Sequence, residues 1–251
     1  FDPIGIRFSM NGGITVDTCI LPLINNSIYS SLAALTGREA GELHPDSSVR
    51  SDIMSLCLRI NPDEFMSGEI VQRAAGKKTR LSAIFGNEIQ VHMGDCMPLT
   101  DFDGSFIIGE YMQHGLDRSE AFNGLLVWSL FHPMRIALPV KKAEEALSIL
   151  DGLNAEALTG SSYFRTERYS FDYKGTQVRA LKLTLFYTMT FRIYYCVRDG
   201  TLHAATTEKY IKEVLDAPGA VLNKSANGNA VFVFRPGALD SGRDSYASAI
   251  I

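Results

Sequence analysis

The chain has 251 residues, 46% of them hydrophobic, and its 24 Lys and Arg against 28 Asp and Glu give a net charge of -4, with a pI near 5.8 and a mean hydropathy of +0.02. That much apolar material excludes a disordered chain, and the balanced charge leaves no excess to neutralise a phosphate backbone, so nucleic-acid binding is not expected. No run of 18 apolar residues occurs, and the most apolar stretch, 124–140, is interrupted by His132, Pro133, Arg135 and Pro139, which excludes a helical membrane span there.

The opening segment, "FDPIGIRFSM", has the pattern of neither a signal peptide nor a transit peptide, so the chain is expected to be a processed product or a piece of a longer polypeptide. Four cysteines, Cys19, Cys57, Cys96 and Cys196, are widely spread with no C-x-x-C. That spacing suits neither a zinc ribbon nor a small disulfide scaffold; buried thiols are expected, with disulfides open in an oxidising compartment.

In the first half, "RSDIMSLCLRINPDEF" contains a strand. "MSGEIVQRAAGKKTRLSAIFGNEIQVHMGD" then predicts a helix capped at Ser67, carrying Ile70, Val71, Ala74, Leu81, Ile84 and Phe85, ended by Gly86-Asn87 and followed by a strand over residues 89–93. Within "HMGDC", His92, Asp95 and Cys96 could contribute to a zinc site, but four ligands are needed and Cys57, His44 or His132 would have to be recruited by the fold. In "LTDFDGSFIIGE", setting Gly104 at the sharp turn of a calcium loop puts Asp101, Asp103 and Glu110 at ligand positions. Leu99 then occupies the first position and supplies no oxygen, so an acidic turn is the plainer reading.

In the second half, "MRIALPV" alternates as a strand and "KKAEEALSILDG" follows as a helix, with Ala143, Ala146, Leu147 and Leu150 inward and Gly152 at its end. "YSFDYKGTQVRA" is a hairpin turning at Lys174-Gly175, with Tyr169, Phe171, Tyr173, Thr176, Val178 and Ala180 on one face. Asp199-Gly200 turns the next hairpin and predicts that Arg198 faces Thr201, Val197 faces Leu202, Cys196 faces His203, Tyr195 faces Ala204 and Ile193 faces Thr206. Ile193, Tyr195, Val197, Leu202 and Ala204 then form a core face, while Arg192, Tyr194, Cys196, Arg198, Thr201 and His203 take a mixed one. Thr206 or Thr207 caps a helix with Tyr210, Ile211, Val214 and Leu215 as its apolar stripe and Pro218-Gly219 as its stop. "NGNAVFVFRPGAL" offers an Asn-Gly turn and a strand over residues 230–234.

The strand, helix, meander, helix, strand order predicts an α+β fold: antiparallel sheets with helices packed on one face, in two intimately packed subdomains, residues 1–115 and 116–251. There is no G-x-S-x-G, no G-x-x-x-x-G-K-[ST], no H-E-x-x-H and no G-x-G-x-x-G, so no catalytic, cofactor-binding or metal-binding residue is assigned and no cofactor is expected. Cys196 opposite His203 could form a nucleophilic pair, but the sequence supplies no visible orienting group or oxyanion hole. The aromatic runs "YFRTERYSFDYKG" and "FYTMTFRIYY", interleaved with Arg165, Arg168, Arg179 and Arg192, suit a core first, a protein partner second and stacked bases or a glycan third.

"LPVKKAEEALSILDGL", "YYCVRDGTLHAATTEKYIKEVLDAPG" and "ANGNAVFVFRPGAL" together resemble a set of large bacterial envelope proteins carrying domains of unknown function, over about residues 134–240. "IQVHMGDCMPLTDFD" is similar to an earlier part of such proteins. The resemblance implies an extracytoplasmic, non-enzymatic structural or interaction domain of a larger polypeptide, with other subunits or domains as partners, and it carries no catalytic residue. Two alternatives stand beside it: a binding module for a lipid or other apolar ligand, and a cysteine-dependent enzyme or hydrolase using Cys196 and His203.

Overall fold

The computed structural model describes residues 4–10, 14–20, 33–36, 41–46, 48–67, 71, 74–75, 79–94, 133–153, 164–185, 189–217 and 226–234. A hairpin of β1 (Ile4–Met10) and β2 (Ile14–Ile20) forms a small sheet of its own. The main body is an antiparallel eight-stranded sheet built from β4 (Asp52–Arg59), β5 (Glu88–Gly94), β6 (Met134–Pro139), β7 (Phe164–Tyr173), β8 (Thr176–Leu185), β9 (Met189–Arg198), β10 (Thr201–Ala205) and β12 (Ala230–Phe234), in the order β12-β4-β5-β6-β10-β9-β8-β7. Two further short strands, β3 (Gly41–Leu43) and β11 (Ala226–Gly228), pair with each other. The α+β reading holds at this level. Strands from both sides of residue 115 are hydrogen-bonded into the one sheet, where β5 pairs with β6; residues 115 and 116 themselves lie outside the described residues.

The two expected hairpins form in the expected register. Arg198 faces Thr201 and Cys196 faces His203 across one turn; Tyr173 faces Thr176 across the other. Both turns place two residues at positive φ, Lys174 at 49° and Gly175 at 79°, Asp199 at 50° and Gly200 at 72°, the left-handed pair that matches the twist of the flanking strands. The β9–β10 ladder runs to Tyr194 opposite Ala205, one step short of the expected Ile193–Thr206 pair.

Among the described residues, the two longer helices that flank this sheet are α1 (Ala143–Asp151) and α2 (Glu208–Asp216). Thr207 is the cap of α2: its hydroxyl accepts from Tyr210 N, and Tyr210, Ile211, Val214 and Leu215 are its buried stripe, as expected. On α1 the buried residues are Ala146, Leu147 and Ile149. Ile149 therefore takes a place expected of Leu150, which is half-buried, because the helix meets the sheet on a face rotated by about one residue from the predicted stripe.

The expectation of helices on one face is corrected by the core itself, which is double. Ala146, Leu147 and Ile149 of α1 pack with Leu138, Leu181, Tyr195 and Leu202. Ile211, Val214 and Leu215 of α2 pack with Val178, Ala180, Tyr194 and Cys196. Tyr194 and Cys196 alternate with Tyr195 along one strand, so the two helices lie on opposite faces. The face read as mixed is a second core, because α2 removes it from water.

Two other expectations change. The single helix from Ser67 to Phe85 does not form: residues 71, 74 and 75 are helical, Arg80 is extended at φ -78° and ψ 112°, and Leu81–Ala83 is a separate 3-10 turn. Thr79 donates its hydroxyl to Ala75 O at 2.6 Å, the local competition that ends a helix, and the turn then presents Leu81, Ile84 and Phe85 to the α1 side of the core. Asn227-Gly228 is not a turn but part of β11, paired with Glu42 and Gly41, because a strand partner supplied by distant sequence satisfies its backbone.

Candidate functional site

Alternation along β4, β5, β6 and β10 sets Ser55, His92, Arg135 and Ala205 in one row of the α2 face, and Cys57, Gln90, Ala137 and His203 in the next. This half of the face is polar, yet His92 is 0% and Arg135 1% exposed. Burial of such groups costs several kcal/mol each unless they are paired, so their partners define the site.

Asp52 is the hub. Arg135 donates to it through Nε at 3.2 Å and Nη2 at 2.6 Å, Tyr210 Oη donates from α2, and His92 Nδ1 lies 3.0 Å from its Oδ2. Strand parity alone would place Asp52 with Met54 on the α1 face. An irregularity between Asp52 and Met54, which leaves Asp52 opposite Gly94 and Met54 opposite Met93, turns the carboxylate to the other side. Gly94 makes room for the tyrosine: a Cβ there would sit 3.3 Å from the Tyr210 ring and 3.0 Å from Pro133.

Asp46 completes the cluster. Its carboxylate accepts from Arg135 Nη2 at 3.2 Å and from Ser48 N and Oγ at 2.8 and 3.0 Å. Its backbone N–H donates to Gln90 Oε1 at 2.8 Å, and Gln90 Nε2 donates to His44 O at 3.0 Å. The segment entering β4 and helix α2 are thus both fastened to the sheet by polar bonds, with Ser51 Oγ donating to Glu213 of α2.

The electrostatics follow from this geometry. Burial works to raise the Asp52 carboxyl, but the hydrogen bonds from His92 and Arg135 and the guanidinium charge outweigh it and hold it at about 2. Burial opposes Asp46 in the same way, and the Ser48 bonds and Arg135 still bring it below the usual carboxylate value. The Tyr210 hydroxyl is pushed up by burial and by Asp52. His92 is pushed down, chiefly by burial, despite its bond to Asp52. The ionised Asp52 carboxylate can only accept, so the single proton of neutral His92 is assigned to Nδ1 and given to Asp52, and Arg135 Nη2, a donor only, is then a close neighbour of that nitrogen and not its hydrogen-bond partner. Among the described residues, His92 Nε2, Arg135 Nη1 and His203 Nδ1 are buried without a hydrogen-bond partner.

The cluster is a closed clamp. Among the described residues no group of three or more metal-ligating side chains gathers. His92, considered as a zinc ligand, is engaged by Asp52 and Arg135; Asp95 and Cys96 lie outside the described residues, as do Asp101, Asp103 and Glu110. Cys57 and Cys196 are free, buried thiols; Cys96 lies outside the described residues and nothing is described of the Cys19 side chain. Cys196 does face His203, but no hydrogen bond joins them, burial pushes the thiol up to about 11 and the imidazole down to about 4, and both are neutral near pH 7. A thiolate-imidazolium pair needs the reverse.

The aromatic strands divide between core and rim. Tyr169 and Phe171 pack edge-on to Tyr194 at 6.4 and 6.3 Å, and Lys212 of α2 lies over the Phe171 and Tyr173 rings at 5.5 and 5.3 Å. These rings are occupied by the protein's own helix. A depression of about 290 Å³ beside α1 is lined by Ala74, Ala75, Ile84 and Ile149 together with Thr79, Glu144, Glu145 and Ser148.

The open surface is elsewhere. On the α1 face, register places Phe232, Leu56, Val91 and Ile136 in one row and Phe234, Met54, Met93 and Met134 in the next, across β12, β4, β5 and β6. Every one of these side chains is apolar; Phe232 is 62% exposed, Phe234 49% and Ile136 38%, and the other five are half-buried. Helix α1 and the 81–85 turn cover the Leu138 end of the same face. The alternation of "AVFVF" marks β12 in the sequence, but nothing local indicates that three other strands align their apolar sides with it.

No protein-family model, curated protein or solved structure matches the chain.

Proposed function

We propose that this chain is a non-enzymatic structural or protein-interaction domain of a larger assembly, which docks the apolar surface of a neighbouring protein domain or subunit. The observation that carries the reading is the pair of apolar rows ending in Phe232 and Phe234, half-exposed or more, on the strand at the edge of the eight-stranded sheet. An apolar patch of this extent is characteristic of an association surface, and three methionines in one row give it a deformable lining. The charged groups, by contrast, are shut inside as a clamp, and the Cys196–His203 pair holds the protonation states of an inert thiol.

Placement in a bacterial envelope rests on the sequence resemblance and belongs to the same proposal. Size measurement and chemical crosslinking on native material test it. A discrete assembly that dissolves in a Phe232→Ser, Phe234→Ser double variant supports docking at this face; a lone monomer without crosslinked neighbours overturns it. Lipid that co-purifies with the wild type and leaves with the double variant would assign the same face to an apolar small molecule instead.

A further inference from the structure

We propose that acidification opens the α2 side of this molecule: protons taken up by His92 and His203 beneath the helix release α2 and residues 48–52 from the sheet, while α1 stays docked on the opposite face.

The argument begins with the two orphaned imidazole nitrogens. His92 has its Nδ1 proton assigned to Asp52, so a second proton goes to Nε2, where no acceptor lies within reach among the described residues. The resulting cation would be fully buried with Arg135 Nη2 only 3.2 Å from the ring. His203 Nδ1 is likewise without a partner, and its strand neighbours on this face are Ala137 and Cys196, neither of which balances a charge.

The charged groups around the pair are the carboxylates of Asp46 and Asp52 from the segment entering β4, the Arg135 guanidinium from β6 and the Arg198 guanidinium from β9. From α2 the facing titratable group is Tyr210, which donates to Asp52. Both carboxylates are already engaged by Arg135, and the remaining bonds go to Ser48, Tyr210 and His92. A proton is therefore accepted most readily by a conformation in which water reaches the rings.

Opening begins on the polar side of α2, next to the apolar stripe of Ile211, Val214 and Leu215. α2 is tied to the start of β4 through Tyr210–Asp52 and Glu213–Ser51, two bonds on neighbouring residues that part together. Among the described residues, the core under α1 is apolar apart from Tyr195, whose hydroxyl donates to Asp151, and contains no histidine. Proton uptake therefore has no purchase on that face.

Amide hydrogen exchange of the full chain at pH 7.5 and pH 5.0, with times scaled for the intrinsic rate, tests this. Amides of Glu208–Asp216 and of residues 48–52 are expected to lose protection by about ten-fold or more at pH 5.0 relative to those of Ala143–Asp151, since one pK unit is a factor of ten per site. Equal protection of α2 at both pH values, or equal loss by both helices, overturns the proposal. A His92→Asn, His203→Phe variant, which keeps a donor to Asp52 but titrates at neither position, is expected to hold α2 closed at pH 5.0; unchanged loss in that variant also overturns it. Should the variant not fold, the wild-type comparison of the two helices decides alone.

Discussion

Arg135 and Asp52 face each other with Nη2 and Oδ2 2.6 Å apart, each side chain 1% exposed, although 83 residues separate them in sequence. The pair costs more to break than to replace. Removing one partner leaves the other charged and dry, whereas removing both exchanges desolvation for packing.

Arg135→Ala is accordingly expected to lose about 3–5 kcal/mol of unfolding free energy. The Asp52→Asn, Arg135→Met double variant should lose clearly less than the sum of the single changes. Urea midpoints at constant m-value measure both, and strict additivity would show that the two residues are not energetically coupled.

Stability should depend on acidity in two windows. The folded value of His203, about 4, lies below the ordinary ~6.5 of an unfolded histidine, so the unfolded chain binds the proton first as pH falls. This contribution is complete above about 6.5, declines by about 1.4 kcal/mol per unit below it and levels near the folded value, a total of about 3 kcal/mol. His92, also pushed down by burial, acts with the same sign. Asp52, held at about 2 against an ordinary 3.8, acts lower: its contribution is present above 3.8 and is lost as pH falls toward 2. Denaturant midpoints taken from pH 7.5 to 3 should show the first decline above pH 4, and His203→Leu should flatten it.

At Lys174 two small effects compete. A lysine at φ 49° pays about 1 kcal/mol for the left-handed conformation, which asparagine tolerates better. Its ion pair with Asp216 at 2.7 Å joins side chains 61% and 46% exposed, the class that contributes least. Lys174→Asn should therefore leave stability unchanged or raise it by up to about 0.5–1 kcal/mol, read as a rise in melting temperature. A marked fall would show that the ion pair outweighs the turn.

Ile211 and Phe232 offer a contrast between a filled core and an open face. Ile211 is 0% exposed under α2, and Ile211→Ala should cost about 2–5 kcal/mol through lost burial and a residual cavity. Phe232, 62% exposed, should cost within about 0.5 kcal/mol when changed to Ser in the isolated chain, measured by the same denaturant titration. A large loss there would mean that the side chain already packs within its own molecule.

Legibility in the sequence followed the distance over which each feature is decided. Lys174-Gly175 and Asp199-Gly200 fix their hairpins because two residues at positive φ determine the register of everything beside them, and Thr207 with Tyr210, Ile211, Val214 and Leu215 fixes α2 within nine residues. The helix expected from Ser67 differs because its apolar spacing continues through Leu81, Ile84 and Phe85, where the backbone, extended at Arg80, does not. His92 is legible in the sequence only beside Asp95 and Cys96, which lie outside the described residues; its neighbours in space, Asp52 and Arg135, are 40 and 43 positions away and come to it through the sheet. His92 on β5 and Arg135 on β6 stand at inward positions of strands far apart in sequence, and only the pairing of those strands brings them together.

The sequence by itself determined the hairpins at Lys174-Gly175 and Asp199-Gly200 with the faces of their strands, the strands β6 and β12 and the helices α1 and α2, since backbone sterics and hydrogen bonding act between near neighbours. Only the tertiary structure decided that α1 and α2 lie on opposite faces, that a backbone irregularity turns Asp52 inward, and that four strands align Phe232, Leu56, Val91 and Ile136 on an open side. Whether a side chain meets water, a charge or nothing depends on what distant chain covers it, and burial is the quantity that converts the same residues from a solvated rim into a clamp.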